Sequence, residues 1–94
     1  MKLTLDIENT VTKRDGKMHL DPFEPENSLT MIGMLSDQGV ERIVTFDHSE
    51  VDADDFGHTV VQEWLDKATV LICHNVAYDL LWLWESGFTY DGAV

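Results

Sequence analysis

The sequence predicts an α/β protein with a mixed sheet and the element order βββαβα. Residues 2–8 alternate between apolar and polar side chains, and two more strand-like segments follow before any helical pattern. The apolar run at residues 69–73 then stands between two segments with helical spacing. Mixed strands followed by a helix, a strand and a helix are typical of α/β proteins, which bind ligands at strand ends. The 94 residues suit a single small domain.

The first strand has two chemically different faces, because successive side chains of a strand point in opposite directions. One face is apolar and the other is polar: Leu3, Leu5 and Ile7 against Thr4, Asp6 and Glu8. Residues 9–28 contain two Pro residues and several polar residues, and they predict a long irregular connection.

The second and third strands are expected at residues 29–35 and 40–46, joined by a tight turn at residues 36–39. Residues 47–55 are rich in acidic side chains, which predicts a solvated loop leading into a helix N-terminus. That helix runs to about residue 68. Its apolar stripe has helical spacing and comprises Phe56, Val60, Val61, Trp64, Leu65 and Ala68.

The fourth strand, residues 69–73, is entirely apolar apart from its first residue, which predicts a central strand parallel to the first. Asn75 is a good N-cap for a second helix, and Gly87 would end that helix. One face of this helix is expected to carry Ala77, Leu80, Leu81 and Trp84, with Trp82 and Leu83 alongside. Ala93 would begin a further strand, so we expect the sheet to lack its last strand and covering helices.

The charge of the chain limits the possible functions. The net charge is −12, from 18 acidic and 6 basic residues. This balance argues against a free-standing nucleic-acid binder, because phosphate contacts usually come from Lys and Arg. A nuclease site stays possible, since bound metal ions supply local positive charge. The single Cys73, the lack of a long apolar run and the lack of a signal peptide predict a cytoplasmic protein.

Three carboxylates stand out by their positions. Asp6 and Glu8 lie two residues apart on one strand face, and Asp79 follows Asn75 in the first turns of the second helix. Carboxylates at the ends of core strands are costly unless they are paired, and divalent metals favour oxygen ligands. This pattern indicates two-metal phosphodiester chemistry. The structural alternatives are a solvent-facing strand pair, a first-turn acid and a plain N-cap.

The two segments that carry these residues resemble motifs of a known family. Asp6-Ile7-Glu8-Asn9-Thr10 resembles the first motif of DnaQ-like 3′–5′ exonucleases, which have a ribonuclease H-like fold. His74-Asn75-Val76-Ala77-Tyr78-Asp79 resembles their second motif. The similarity is greatest to the proofreading exonuclease domain of family A DNA polymerases, especially the short-tailed phage type. It implies that residues 1–94 are the N-terminal part of one such domain.

The resemblance implies roles for the acidic residues. Asp6 would contact two divalent metal ions, Mg²⁺ or Mn²⁺. Glu8 would bind the ion that activates water, and Asp79 would hold the second ion. The implied reaction is hydrolysis of the 3′-terminal phosphodiester of DNA.

The resemblance also implies the substrate contacts and the setting. Asn75 and His74, with the backbone near Asn9 and Thr10, would seat the 3′-terminal nucleotide. The partners would be the 3′ end of single-stranded DNA and a polymerase domain in the parent protein. A phage-encoded enzyme of this kind would work in the cytoplasm of its bacterial host.

A departure from the family pattern leaves alternatives open. The family's third motif has a Tyr or His about four residues before a last metal-binding Asp, and no such pair follows Asp79. We therefore expect the isolated 94 residues to be inactive and to self-associate through uncovered surfaces. Residues 9–28 could instead fold back, with Phe23 as a plug. The alternative functions are a non-catalytic ribonuclease H-like module that binds metal or protein, and a stand-alone DnaQ-like exoribonuclease.

Overall fold

A computed structural model describes residues 1–46 and 56–94. The acidic loop expected at residues 47–55 lies outside the described residues. The strands and helices are, in chain order, β1 (Lys2–Asn9), β2 (Thr12–Arg14), β3 (Lys17–His19), β4 (Leu29–Ser36), β5 (Glu41–Thr45), α1 (Gly57–Lys67), β6 (Val70–Cys73) and α2 (Val76–Glu85). Within these described ranges, no helix is long and apolar enough to cross a membrane.

The main sheet is mixed, as predicted, and has the order β5-β4-β1-β6. β1 pairs with β4 antiparallel and with β6 parallel, so the predicted parallel neighbours are confirmed. The prediction that β6 is central is wrong. On its far side, β6 has one parallel bridge among the described residues, between Val70 and Ala93. Its apolar character reflects contact with the core at Leu71, while Ile72 is 47% exposed.

Residues 12–19 form a hairpin where an irregular connection was predicted. β2 and β3 pair antiparallel around Asp15 and Gly16, which both have positive φ angles, 51° and 77°. An Asp-Gly step between strands is a strong hairpin signal, so the sequence did carry this information. The alternative role of Phe23 as a plug is wrong, because its side chain is 61% exposed.

The core lies on one face of the main sheet. The alternation predicted for β1 is confirmed, since Leu3, Leu5 and Ile7 are buried. They belong to a cluster that includes Val61 and Leu65 of α1, and Trp82 and Leu83 of α2. The opposite face is left uncovered by the described helices. It exposes Leu35, Ile43 and Ile72, each by about half of its side chain.

The two helices differ in how well their faces could be predicted. In α1 the stripe is confirmed at Val61 and Leu65, whereas Phe56 is 81% exposed at the helix start. In α2 the residues expected alongside the apolar face, Trp82 and Leu83, are the buried ones. The expected face itself is half-buried at Leu80 and Leu81 and exposed at Ala77 and Trp84. The buried residues of α2 are Asp79, Trp82 and Leu83, and Trp84 is 54% exposed. These buried positions have i, i+3, i+4 spacing but include a carboxylate, which a purely apolar pattern passes over.

The predicted ends of α2 are confirmed. Asn75 caps the helix, because its side-chain oxygen accepts a hydrogen bond from the Tyr78 backbone N–H, at 3.3 Å. Gly87 follows the last turn with a φ of 88°. The Phe88 N–H then donates to the Leu83 carbonyl, and the Gly87 N–H donates to the Trp84 carbonyl. This pattern satisfies the last carbonyls of the helix and leads Phe88 into the core.

Candidate functional site

The candidate site lies where β1 and β6 end and α2 begins. The carboxyl ends of parallel neighbours meet at one edge of a sheet, and ligands of α/β proteins bind there. β6 ends at Cys73, which is in register with Leu5, so β1 continues past its neighbour into this region. A cavity of about 370 Å³ opens at this point. Its lining residues are Asp6, Ile7, Leu20, His74, Asn75, Tyr78 and Asp79.

The structure brings together two of the three carboxylates singled out in the sequence. Asp6 and Asp79 both line the cavity, although they come from opposite ends of the chain. Glu8 is exposed and is not among the lining residues, because it lies one pleat farther along β1. Among residues 1–46 and 56–94, no three His, Cys, Asp or Glu side chains are grouped to hold a metal ion.

Asp79 is a buried acid whose pKa is raised. Its side chain is 5% exposed, and this burial raises its pKa above the ordinary value of 3.8. The nearby negative charge of Asp6 raises the pKa further. Hydrogen bonds with the Asn75 backbone and the Cys73 side chain act in the opposite direction. Two carboxylates that repel each other in one cavity are the local arrangement that a cation would stabilise.

The Cys73 thiol forms a hydrogen bond with the Asp79 carboxylate. Burial first, and then the charge of Asp79 and a hydrogen bond to it, together raise the pKa of the thiol to about 12. The thiol therefore stays protonated and can donate to the carboxylate. Reactivity as a thiolate nucleophile is not favoured at this position.

A clasp of hydrogen bonds closes one side of the cavity, around the Leu20 carbonyl. This carbonyl accepts from Asn9 Nδ2 and Trp82 Nε1, both at 3.2 Å, and lies 2.9 Å from the Tyr78 hydroxyl. The Tyr78 hydroxyl also lies 2.8 Å from Asn9 Oδ1. The clasp fixes the end of the β2–β3 hairpin against α2. Tyr78 and Leu20 are thus site residues that the sequence reasoning missed, and no local signal marked Leu20.

The predicted substrate-binding residues fall into two groups. His74 and Asn75 are exposed and line the cavity. Asn9 and Thr10 do not line it. The Asn9 side chain belongs to the clasp, and the Thr10 N–H and hydroxyl both pair with the Ser28 backbone.

The residues present partly fit a divalent metal ion. Asp6 and Asp79 offer oxygen ligands in one cavity, and Mg²⁺ commonly uses one or two carboxylates together with water and substrate phosphates. The N-terminus of α2 lies beside them and favours an anionic phosphate. A divalent ion would therefore have two protein ligands here, with Glu8 as a third candidate on the same strand face.

A larger cavity of about 440 Å³ lies elsewhere, between α1, α2 and residues 89–91. Its Asp66 already accepts a hydrogen bond from Gln62, and its Tyr90 hydroxyl donates to the Ala93 carbonyl. We place the site at the smaller cavity, because that one combines strand ends, a buried perturbed acid and a helix N-terminus.

Comparisons with known proteins assign no family to this chain. No family model, curated protein or solved structure gives a significant match. Its function is therefore inferred from the cavity and the residues that line it.

Proposed function

We propose that this chain belongs to a ribonuclease H-like 3′–5′ proofreading exonuclease domain of a DNA polymerase. The reaction would be metal-assisted hydrolysis of the 3′-terminal phosphodiester of DNA, releasing a nucleoside monophosphate. The observation that supports this most is the meeting of Asp6 and Asp79 in one cavity at the strand ends. The mixed α/β sheet is compatible with such a fold.

Asp6 and Asp79 would hold Mg²⁺ or Mn²⁺ in this proposal. When bound, two such ions activate a water molecule and stabilise the attacking and leaving oxygens of the phosphodiester. Glu8 is exposed on the strand face of Asp6, so its side chain can turn toward an ion that Asp6 holds. Burial of Asp79 gives its carboxylate an added preference for a neutralising cation.

The substrate would be oriented by groups at the start of α2. The helix N-terminus favours the phosphate. Asn75 uses its side-chain oxygen as a helix cap, and its Nδ2 group makes no hydrogen bond within the described residues. That group can donate to the terminal nucleotide. His74 lines the same cavity and can approach the same nucleotide from its exposed position.

A Mn²⁺ titration followed by NMR line broadening tests the proposal. We expect weak binding, on the order of millimolar for competing Mg²⁺, because substrate phosphates complete such sites. Broadening should centre on Asp6 and Asp79 and should be lost in Asp79→Asn. Asp37→Asn is a matched control, since Asp37 lies at the opposite end of β1, where its N–H donates to the Lys2 carbonyl. Broadening centred on His58, with Asp6 unaffected, would contradict the proposal.

A second candidate is a non-catalytic module of the same fold that binds metal or protein. The position of Glu8 outside the cavity favours it, because two carboxylates make an incomplete catalytic set. A third candidate, a DnaQ-like exoribonuclease, would use the same residues on RNA. Binding of matched DNA and RNA oligonucleotides distinguishes the three, since a module that binds only metal or protein binds neither.

A further inference from the structure

The basic residues of this acidic chain are concentrated on the β2–β3 hairpin. Three of the six basic residues are Lys13, Arg14 and Lys17. Residues 11–20 contain one acidic residue, Asp15, out of the 18 in the chain. The hairpin is therefore a local positive region on a protein whose net charge is −12.

The two faces of the hairpin have different surroundings. Arg14 is paired with Lys17 in the ladder, and Thr12 with His19, so these four share one face. That face contacts residues 21–28. Arg14 forms an ion pair with Glu24, at 2.6 Å, and the Thr12 hydroxyl donates to Asn27.

The other face of the hairpin is open to solvent. Lys13 and Met18 are partners in the ladder on this face, and the same alternation continues to Val11 and Leu20. The three apolar residues are each about half exposed. Lys13 and Lys17 are exposed and form no ion pair within residues 1–46 and 56–94. We call the surface formed by Val11, Lys13, Met18 and Leu20 the hairpin face. Lys17 belongs to the opposite face of the ladder, but it is exposed and lies at the edge of the hairpin face, next to the turn.

The hairpin face leads into the candidate site. Leu20 is one of its members and also lines the cavity with Asp6 and Asp79. The clasp from Asn9, Tyr78 and Trp82 fixes the Leu20 carbonyl, so the hairpin and the cavity keep a defined relative position. A ligand that extends out of the cavity past Leu20 would meet this face.

We propose that the hairpin face binds the backbone of a single nucleic-acid strand whose 3′ end enters the cavity. This inference rests on the proposed function. Lys13 and Lys17 supply the positive charge that phosphates require, and exposed apolar side chains can pack against sugars and bases.

The test measures binding of the whole chain to a fluorescent oligo(dT) of about 12 nucleotides, a length within the usual range for one small domain. Anisotropy is recorded in EDTA across a series of NaCl concentrations for the unmodified chain and two variants. Lys13→Gln/Lys17→Gln removes the hairpin charges. Lys2→Gln/Lys67→Gln is the matched control, since it changes the net charge equally but lies on β1 and α1.

We expect the hairpin variant to bind roughly tenfold more weakly at about 50 mM salt, with a salt slope lower by about 1.4, equivalent to two single-strand phosphate contacts. The control should match the unmodified chain. Equal losses in both variants, no loss in either, or no binding by the unmodified chain would overturn the proposal.

The same proteins separate this inference from the proposed function. If Mn²⁺ still broadens Asp6 and Asp79 while the hairpin variant binds DNA normally, the hairpin proposal fails and the proposed function stands. If the hairpin variant loses DNA binding but Mn²⁺ does not broaden the signals of Asp6 and Asp79, the hairpin proposal stands and the proposed function fails. Circular dichroism of each variant checks that the fold is retained.

Discussion

The Tyr78 hydroxyl lies 2.8 Å from Asn9 Oδ1, and this contact joins two segments that are 69 residues apart in the chain. Asn9 follows the acidic pair of β1, and Tyr78 precedes Asp79 on α2. The same hydroxyl lies 2.9 Å from the Leu20 carbonyl. One side chain therefore connects the strand, the helix and the hairpin around the cavity.

Replacing Tyr78 with Phe should weaken this connection. We expect the free energy of unfolding to fall by about 1 kcal/mol, the usual loss for one internal hydrogen bond. Urea unfolding measures this change. Tyr90→Phe is the matched control, because its hydroxyl donates to Ala93 on the exposed side of the protein. In hydrogen exchange, residues 19–21 should lose protection in Tyr78→Phe but not in Tyr90→Phe, and equal behaviour would contradict the clasp.

The protonation of Asp79 should depend on Asp6. Burial is the larger cause of the raised pKa, and the charge of Asp6 adds to it. In Asp6→Asn, the pKa of Asp79 should therefore decrease, as measured by ¹³C NMR titration of its carboxyl group. In Asp37→Asn, it should not change. An unchanged Asp79 pKa in Asp6→Asn would show that the two carboxylates do not interact.

The same shift predicts how stability depends on pH. The folded chain holds the Asp79 proton more tightly than the unfolded chain, so this group stabilises the fold fully below pH 3.8. Its contribution decreases as the pH rises from 3.8 through the raised pKa. Asp79→Asn should therefore gain stability relative to the unmodified chain across that window, in urea unfolding at a series of pH values. A constant difference between the two proteins would contradict this assignment.

The 94-residue chain should show little or no exonuclease activity. Within the described residues, two carboxylates line the cavity, whereas two-metal hydrolysis needs a fuller set of ligands. The assay follows the length of a single-stranded DNA oligonucleotide in Mn²⁺. Rapid shortening that Asp6→Ala abolishes would prove this expectation wrong and would show that the site is complete.

A side chain at position 57 should destabilise the fold. A Cβ at this position would lie 2.8 Å from Val44 Cγ1, which belongs to a fully buried side chain. We expect Gly57→Ala to lower the free energy of unfolding by about 1–3 kcal/mol, as overpacking does. Gly33→Ala is the control, because nothing lies within 4 Å of its Cβ position. Similar stability for the two variants would mean that α1 can move away from β5.

The uncovered sheet face should cause self-association, as should the exposed Trp84. Leu35, Ile43 and Ile72 are exposed on that face, and large apolar patches tend to bind partners. Sedimentation at micromolar concentration should show dimers that increase with salt, because salt screens the repulsion between acidic chains. Ile43→Ser should reduce the dimer, and Val11→Ser should not. A compact monomer at every salt concentration would reject this prediction.

Local signals predicted the elements whose conformation depends on local chemistry. The alternation of β1, the cap at Asn75 and the helix end at Gly87 all follow from side-chain chemistry within a few residues. The parallel pairing of β1 with β6 could also be inferred, because an apolar strand between two helices commonly joins a sheet in this way.

The features of the site that could not be predicted from the sequence depend on tertiary contacts. The alternation of β1 predicted that Asp6 and Glu8 share one face. The cavity, however, forms just past Cys73, where β6 ends, and of these two carboxylates only Asp6 lines it. The buried face of α2 includes Asp79 because Cys73 and the Asn75 backbone hydrogen-bond its carboxylate. Leu20 joins the site through its backbone carbonyl, which every residue has, so its identity gave no signal.

The pairing of Lys2 with Val70 has a consequence for the order of folding. β1 is made first, but one of its two neighbours in the sheet is added near the other end of the chain. Closing so long a loop is entropically costly, so we expect this pairing to form late compared with the β2–β3 and β4–β5 hairpins. We therefore expect the Asp6–Asp79 cavity to be absent from a nascent or half-folded chain. A cation that binds it would slow unfolding and leave the rate of folding unchanged.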